Sequence, residues 1–267
     1  MALIVMVSAK GSPGVTCTGL ACTLSWERRM VLAECDPSGG SLLGGYLQGQ
    51  VPGERGMLPL AMAELRSDRL ADEFWVQLID LDAPRRERLL LPGITDPAQV
   101  GSLSPLWDRF AAHFVGLERA DYDVIADCGR LITSTPPWPI VWAADAVLLV
   151  IRPTLPSIAA AAPAAAVLAQ QLTDHTASTS ALGLLVVGEG PYDARQAAHQ
   201  LRMPLVGHLP EDSATARVLS FGGSLRLSWP LMRATAGIEA RVRAVVARHR
   251  QEVPPHAMGA RQVRRAV

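Results

Sequence analysis

The sequence has no excess charge of either sign and few cysteines. Its 267 residues include 25 Lys plus Arg and 25 Asp plus Glu, which gives a formal net charge of +0. The broad basic field of a dedicated nucleic-acid binder is therefore missing, and direct DNA binding is not expected. The four cysteines form no C-x-x-C pair, so common zinc and dithiol motifs are excluded and a reduced, cytoplasmic protein is predicted.

Long hydrophobic runs are also missing. The apolar opening, residues 1–7, and the alanine-rich stretch 158–169 both fall short of the roughly 20 residues that a membrane-spanning helix needs, so no transmembrane segment is expected. The hydrophobic fraction is nevertheless 49%, which is enough for a large buried core. We predict one domain over residues 1–252 and a flexible basic tail over 253–267.

Short apolar runs alternate with segments of helical length, which is typical of an α/β domain. Strands are predicted at 3–7, 30–34, 76–79, 89–91, 124–127, 146–151, 182–187 and 205–209. Helices are predicted at 15–26, from 41 onward, and at 57–70, 105–117, 157–172, 194–201 and 231–250. The strands are continuously apolar, which indicates a mostly parallel, doubly wound sheet with helices on both faces.

The loop after the first strand contains Lys10, the one lysine of the chain. Residues 9–16 read AKGSPGVT. Such a loop at a helix N-terminus offers backbone N–H groups to phosphate. Gly14 and Thr16 match the P-loop pattern G-x-x-x-x-G-K-[ST], whereas Ala9 replaces its first glycine and Val15 replaces its lysine.

The segment from Lys10 to Gly40 resembles the deviant Walker A motif and the following switch of the MinD/ParA family of P-loop ATPases. That family has K-G-G-x-G-K-T, a helix, a strand and then D-x-D-P-x-G-G, and this chain has KGSPGVT and then ECDPSGG. Lys10 matches the signature lysine, which in the family reaches the phosphates of a partner subunit. Asp36 matches the residue that positions the attacking water, and Glu34 stands in place of the first aspartate.

The similarity extends over most of the chain and is weakest between residues 53 and 103. DYDVIADCG, which ends at Gly129, resembles the strand with the Walker B type aspartate and thereby implies a magnesium role for Asp127. ADAVLLVIRP, which ends at Pro153, is similar to the next strand, and MPLVGHLPEDSATARVLSFGG at 203–223 resembles the late strand, turn and helix.

The resemblance implies ATP and Mg²⁺ as cofactors and a specific set of site residues. The implied catalytic residues are Lys10 and Asp36; the nucleotide-binding residues are Lys10, Gly11, Ser12, Gly14, Val15, Thr16 and Cys17; the metal-binding residues are Thr16, Glu34 and Asp127. Arg152 is added to the nucleotide-binding candidates because it ends the strand 146–151 at the same carboxyl edge.

Two departures weaken the expected phosphate site. Val15 supplies no cation and Pro13 has no backbone N–H. One lost charge-assisted contact costs about 1.5 to 3 kcal/mol, or roughly tenfold to a hundredfold in affinity. Arg130 and Arg152 are either replacements for the missing lysine or solvated loop arginines. ATP hydrolysis is expected to be slow or undetectable.

The resemblance implies a homodimer that positions or assembles a protein partner. The preferred hypothesis is a TadZ/CpaE-like factor of a secretion or pilus system with weak or absent ATPase activity. The alternatives are a septum or chromosome-partitioning ATPase and a nucleotide-free pseudo-ATPase scaffold. Because Val263 and Val267 bury little apolar surface, recruitment to the membrane or cell pole is expected to go through a partner.

Overall fold

Eight strands lie in one sheet in the computed structural model, which describes residues 2–10, 14–51, 54–131 and 135–253. The strands are β1 (Leu3–Ser8), β2 (Met30–Glu34), β3 (Ile79–Asp80), β4 (Arg88–Leu91), β5 (Asp123–Arg130), β6 (Ala146–Ile151), β7 (Leu182–Val187) and β8 (Leu205–Leu209). Their order is β3-β4-β2-β5-β1-β6-β7-β8, and only β3 pairs antiparallel among them.

The register brings the functional loops to one edge of the sheet. Glu34 at the end of β2 pairs with Asp127 on β5, and Ser8 at the end of β1 pairs with Arg130. Because these strands are parallel, the loops that follow them leave the sheet at the same carboxyl edge, where open α/β sheets bind ligands.

Ten α-helices among the described residues cover the two faces of the sheet. They are α1 (Val15–Ser25), α2 (Met57–Ser67), α3 (Leu70–Gln77), α4 (Val100–Leu103), α5 (Trp107–Gly116), α6 (Trp138–Trp142), α7 (Leu155–Thr176), α8 (Ala194–Leu201), α9 (Ser213–Phe221) and α10 (Pro230–Glu252). α1, α9 and α10 contribute to one hydrophobic cluster and α2 to α8 to the other. The prediction of a doubly wound α/β sheet is therefore confirmed.

The helix predicted from residue 41 onward is wrong. Residues 42–49 form consecutive turns instead. Gly44, Gly45 and Gly49 weaken a helix in this segment, since glycine costs about 1 kcal/mol relative to alanine, and Gln48 takes a left-handed φ of 53°. The leucine-rich composition favoured a helix, but Leu42 reaches the core from a turn.

The region between the second and fifth strands also differs from its prediction. The helix predicted at 57–70 ends at Ser67, where Asp68 adopts φ 54° as the C-cap, and α3 then begins at Leu70. The strand predicted at 76–79 is wrong over its first residues, because α3 continues to Gln77 and β3 contains only Ile79–Asp80.

α7 is the one helix in the described part of the chain that is long and apolar enough, by length and composition, to span a membrane. Its inner face packs on the sheet, since Ile158, Ala161, Leu168 and Leu172 belong to the larger hydrophobic cluster. A core helix of this kind satisfies the same criterion. Of the tail predicted over 253–267, Val253 is buried as the C-cap of α10, and residues 254–267 lie outside the described residues.

Candidate nucleotide site

The first helix begins at a left-handed glycine. Gly14 is the N-cap of α1 with φ 97° and ψ 28°, a conformation that is readily available only to glycine. Val15 is 6% exposed and packs in the α1, α9 and α10 cluster, so its side chain contributes to the core rather than to a charged site. Gly11, Ser12 and Pro13 lie outside the described residues, and their predicted roles stay predictions.

Thr16 and Asp127 meet at the carboxyl edge of the sheet. The Thr16 hydroxyl donates a hydrogen bond to Oδ2 of Asp127 at 2.5 Å, across 111 residues of sequence. The backbone N–H of Gly129 donates to Oδ1 of the same carboxylate at 3.0 Å. The first turn of α1 and the end of β5 therefore place a hydroxyl and a buried carboxylate side by side, as the resemblance implied for a magnesium site.

The environment of Asp127 favours its neutral form. Burial is the largest cause, and the carboxylates of Glu34 and Asp36 add repulsion, while the hydrogen bonds from Thr16 and Gly129 act in the opposite direction. Together they raise the pKa of Asp127 to about 7. A cation at this position would relieve the repulsion among the carboxylates.

Glu34 acts as an anchor for two loops. Its Oε1 accepts hydrogen bonds from the backbone N–H groups of Ser41 (2.7 Å) and Leu42 (3.0 Å), and its Oε2 accepts one from Gly93 (3.2 Å). Burial raises the pKa of Glu34, and these three amides oppose that shift. Both carboxylate oxygens are occupied in this way, so the contacts support a structural role and give no support to Glu34 as a metal ligand.

Asp36 lies directly over Gly129. Its Oδ1 accepts a hydrogen bond from the backbone N–H of Ser38 at 2.7 Å. A Cβ atom added to Gly129 would lie 1.9 Å from Oδ2 of Asp36. The carboxylate of the predicted water-positioning residue is therefore packed against the backbone that follows Asp127.

The remaining predicted site residues surround this centre without all joining it. Lys10 is exposed and makes no ion pair with another described residue. The Sγ of Cys17 lies 3.3 Å from Oγ of Ser220 at the end of α9. Arg152 is directed to the loop after β8, where it forms a 3.0 Å ion pair with Glu211; this partner competes with its predicted role in nucleotide binding.

The oxygen donors fit a magnesium ion. Mg²⁺ prefers carboxylate, hydroxyl and water oxygens and is usually held by one or two protein carboxylates together with substrate phosphates. Thr16 and Asp127 would hold it, and Mg²⁺ would supply charge neutralisation for phosphate oxygens. Asp36 would orient a water molecule from its fixed position above Gly129.

Solved structures with the same fold include three proteins of related kinds. One is the septum site-determining protein MinD complexed with Mg-ADP from Pyrococcus horikoshii OT3, with 15% identity over 89% of this chain and 94% of that chain and a TM-score of 0.67. Another is the MinC:MinD cell division protein complex of Aquifex aeolicus, with 17% identity over 91% of this chain and 96% of that chain and a TM-score of 0.67. The third is a ParA family ATPase from Chlorobium tepidum TLS, with 13% identity over 88% of this chain and 96% of that chain and a TM-score of 0.65.

The fold is therefore that of the MinD/ParA-like P-loop ATPases, which confirms the resemblance at the level of fold. No protein-family model matches the chain, and neither does any curated protein. At identities of 13 to 17% the likeness establishes the fold alone.

Sequence reasoning missed the role of Gly129 and the loop contacts of Glu34. Gly129 has φ 59° and leaves room for Asp36. The signal for it was a glycine two residues after the Walker B type aspartate, Asp127. No local signal shows that Glu34 reaches Gly93, because that contact joins loops 59 residues apart.

Proposed function

We propose that this protein is a MinD/ParA-like nucleotide switch that binds ATP and Mg²⁺ at the carboxyl edge of its sheet, between two copies of the chain. It hydrolyses ATP slowly or not at all and positions or assembles a protein partner, with a secretion or pilus system preferred over septum or chromosome positioning. The same fold occurs in MinD bound to Mg-ADP and in a MinC:MinD complex.

The observation that carries this proposal is the 2.5 Å hydrogen bond between Thr16 and Asp127. It joins the first turn of α1 to the end of β5 beside Gly14, where a helix N-terminus is ready to receive an anion. The carboxylate of Asp127 is buried beside those of Glu34 and Asp36, and a cation bound there would reduce their mutual repulsion. A nucleotide with its magnesium ion supplies both charges.

Thr16→Ala and Asp127→Asn are each expected to lower the Mg²⁺-dependent affinity for ATP by about tenfold or more, because the first removes a hydroxyl ligand and the second removes the negative charge of a carboxylate ligand. Titration with a fluorescent ATP analogue, in Mg²⁺ and in EDTA, measures this. Thr179→Ala, which alters an exposed threonine between α7 and β7, is the matched control and should bind like the wild type. Tight ATP binding that is the same in Mg²⁺ and in EDTA, and the same in both variants as in the wild type, would contradict the proposed site.

Lys10 supports the two-copy arrangement. It is the only lysine of the chain, it is exposed at the nucleotide edge, and the resemblance gives it a role in the partner's site. We expect ATP and Mg²⁺ to shift the protein from monomer to dimer in sedimentation velocity experiments and Lys10→Ala to remain monomeric. Arg66→Ala, an exposed cation on α2, should dimerise normally. A wild type that stays monomeric at high concentration with nucleotide would refute the dimer.

A nucleotide-free scaffold is the second candidate. Two observations favour it. Val15 packs in the core where the P-loop pattern has a lysine, and Arg152 pairs with Glu211. Neither residue therefore offers a free cation to a phosphate group. Absence of ATP binding by the wild type in the titration above would select this candidate.

A further inference from the structure

Two segments on the nucleotide edge form one continuous surface, which we call the 48/221 surface. It consists of residues 41–51, which follow the loop of Asp36, and residues 217–233, which run from α9 into α10. The side-chain amide of Gln48 donates a hydrogen bond to the carbonyl of Phe221 at 2.8 Å. A Cβ atom on Gly45 would lie 2.5 Å from the carbonyl oxygen of Ser220, so the two backbones are in close contact.

This surface exposes large apolar side chains. Phe221 is 68% exposed and Leu227 is 62% exposed, the two highest values among the large hydrophobic residues described. Leu43, Leu47 and Leu225 are half-buried and pack on the α1, α9 and α10 cluster. An exposed aromatic and an exposed leucine above an apolar base are the features of a protein contact surface.

The charged side chains within the two segments are all basic, and Asp212 borders them, since its carboxylate accepts a hydrogen bond from the backbone N–H of Leu231 at 3.1 Å. Segments 37–51 and 213–238 contain no Asp or Glu, whereas the second contains Arg217, Arg226 and Arg233. All three arginines are exposed, and none forms an ion pair with another residue in the described ranges. Arginine presents paired N–H donors that match a carboxylate, so the complementary ligand is acidic.

We propose that the 48/221 surface docks an acidic segment of a partner protein, with apolar side chains seated against Phe221 and Leu227 and carboxylates paired with the arginines. Phe221 is the last residue of α9, and Leu227 lies in the connection 222–229, three residues before α10 begins at Pro230. A firm apolar centre with a basic rim favours a protein segment over a lipid surface.

The surface also adjoins the candidate nucleotide site. Cys17, which follows Thr16 in α1, lies 3.3 Å from the hydroxyl of Ser220, the residue before Phe221. The inference rests on the proposed function in that the docked segment belongs to the partner that the switch would recruit.

The test measures binding of a fluorescein-labelled synthetic peptide of alternating glutamate and leucine by anisotropy at physiological salt, with the full-length protein and without nucleotide. We expect saturable binding, and none of a matched peptide with lysine in place of glutamate. The double variant Phe221→Ser/Leu227→Ser and the single variant Arg226→Glu should each weaken binding about tenfold or more. Leu65→Ser and Arg66→Glu, exposed neighbours on α2, are matched controls and should bind like the wild type.

Several results would overturn the proposal. Equal binding of both peptides, or binding that survives Phe221→Ser/Leu227→Ser, would show that the surface is not used. If phosphatidylglycerol vesicles sediment the wild type but not that variant while the acidic peptide fails to bind, the occupant is lipid. If the wild type self-associates without nucleotide and the variant does not, the occupant is a second copy.

The outcome is separable from that of the proposed function. Acidic-peptide binding by a protein that binds no ATP would support the docking surface and refute the nucleotide switch. ATP binding without peptide binding would refute the docking surface alone.

Discussion

Replacing Asp127 by asparagine is expected to stabilise the protein at pH 8 by about 2 to 4 kcal/mol in the absence of magnesium and nucleotide. The physical reason is the burial of a carboxylate beside Glu34 and Asp36, which raises the pKa of Asp127 from 3.8 to about 7. Asparagine carries no charge to desolvate: its single oxygen keeps the hydrogen bond from the backbone N–H of Gly129, and its amide nitrogen faces the hydroxyl of Thr16, which can accept instead of donate. Urea unfolding at pH 5 and pH 8 measures the effect.

The direction of the pH dependence follows from where the folded and unfolded states bind a proton. Between pH 4 and pH 7 the folded protein holds a proton on Asp127 that the unfolded chain has already lost. The free energy of unfolding of the wild type therefore falls as pH rises through this window, and the loss is complete above about pH 7. The Asp127→Asn variant has no carboxyl group at this position and lacks this pH dependence. The difference in unfolding free energy between the variant and the wild type should therefore grow from pH 5 to pH 8.

Asp212→Asn is a control for which the expected change in stability has the opposite sign. Burial works against ionisation of Asp212, but hydrogen bonds from the hydroxyl and backbone N–H of Thr215 and from the backbone N–H of Leu231 outweigh it and lower the pKa of Asp212. Its stabilising contribution is present at neutral pH and is lost as pH falls through the lowered pKa. Asp212→Asn should therefore destabilise at pH 8. A less stable Asp127→Asn protein at pH 8 would contradict the assignment of the buried charge.

The strands of the fold were largely predictable because of how they are buried. The strands at Met30–Glu34, Ala146–Ile151, Leu182–Val187 and Leu205–Leu209 have the predicted bounds, since a strand covered on both faces reads as an unbroken apolar run. The helix predicted from residue 41 was wrong because leucine content alone does not distinguish a helix from a series of turns, and the glycines of this segment favour turns.

The candidate site was predictable where motif order carried the information. Thr16 and Asp127 were placed together by resemblance, and the structure brings them to 2.5 Å. The partners of Arg152 and Glu34 were not predictable, because Glu211 and Gly93 lie 59 residues away from them in each case. Such contacts depend on how the loops fold over the edge of the sheet, which periodicity does not encode.

Gly129→Ala is expected to destabilise the protein by about 3 kcal/mol and to displace the carboxylate of Asp36. Gly129 has φ 59°, which costs a residue with a Cβ atom about 1 kcal/mol. The added methyl group would also lie 1.9 Å from Oδ2 of Asp36, and relief of that overlap costs about 1 to 3 kcal/mol more. Urea unfolding at neutral pH gives the total.

Gly49→Ala separates the two contributions. Gly49 has a similar φ of 66°, but no atom lies within 4 Å of its added Cβ, so this variant should lose only about 1 kcal/mol from backbone strain. The double variant Gly129→Ala/Asp36→Gly removes the overlap and should recover most of the difference between the two single variants. Equal losses for Gly129→Ala and Gly49→Ala would show that Asp36 does not rest on Gly129. The position of the predicted water-positioning carboxylate would then need another explanation, because its contact with the backbone after Asp127 is what holds it against β5.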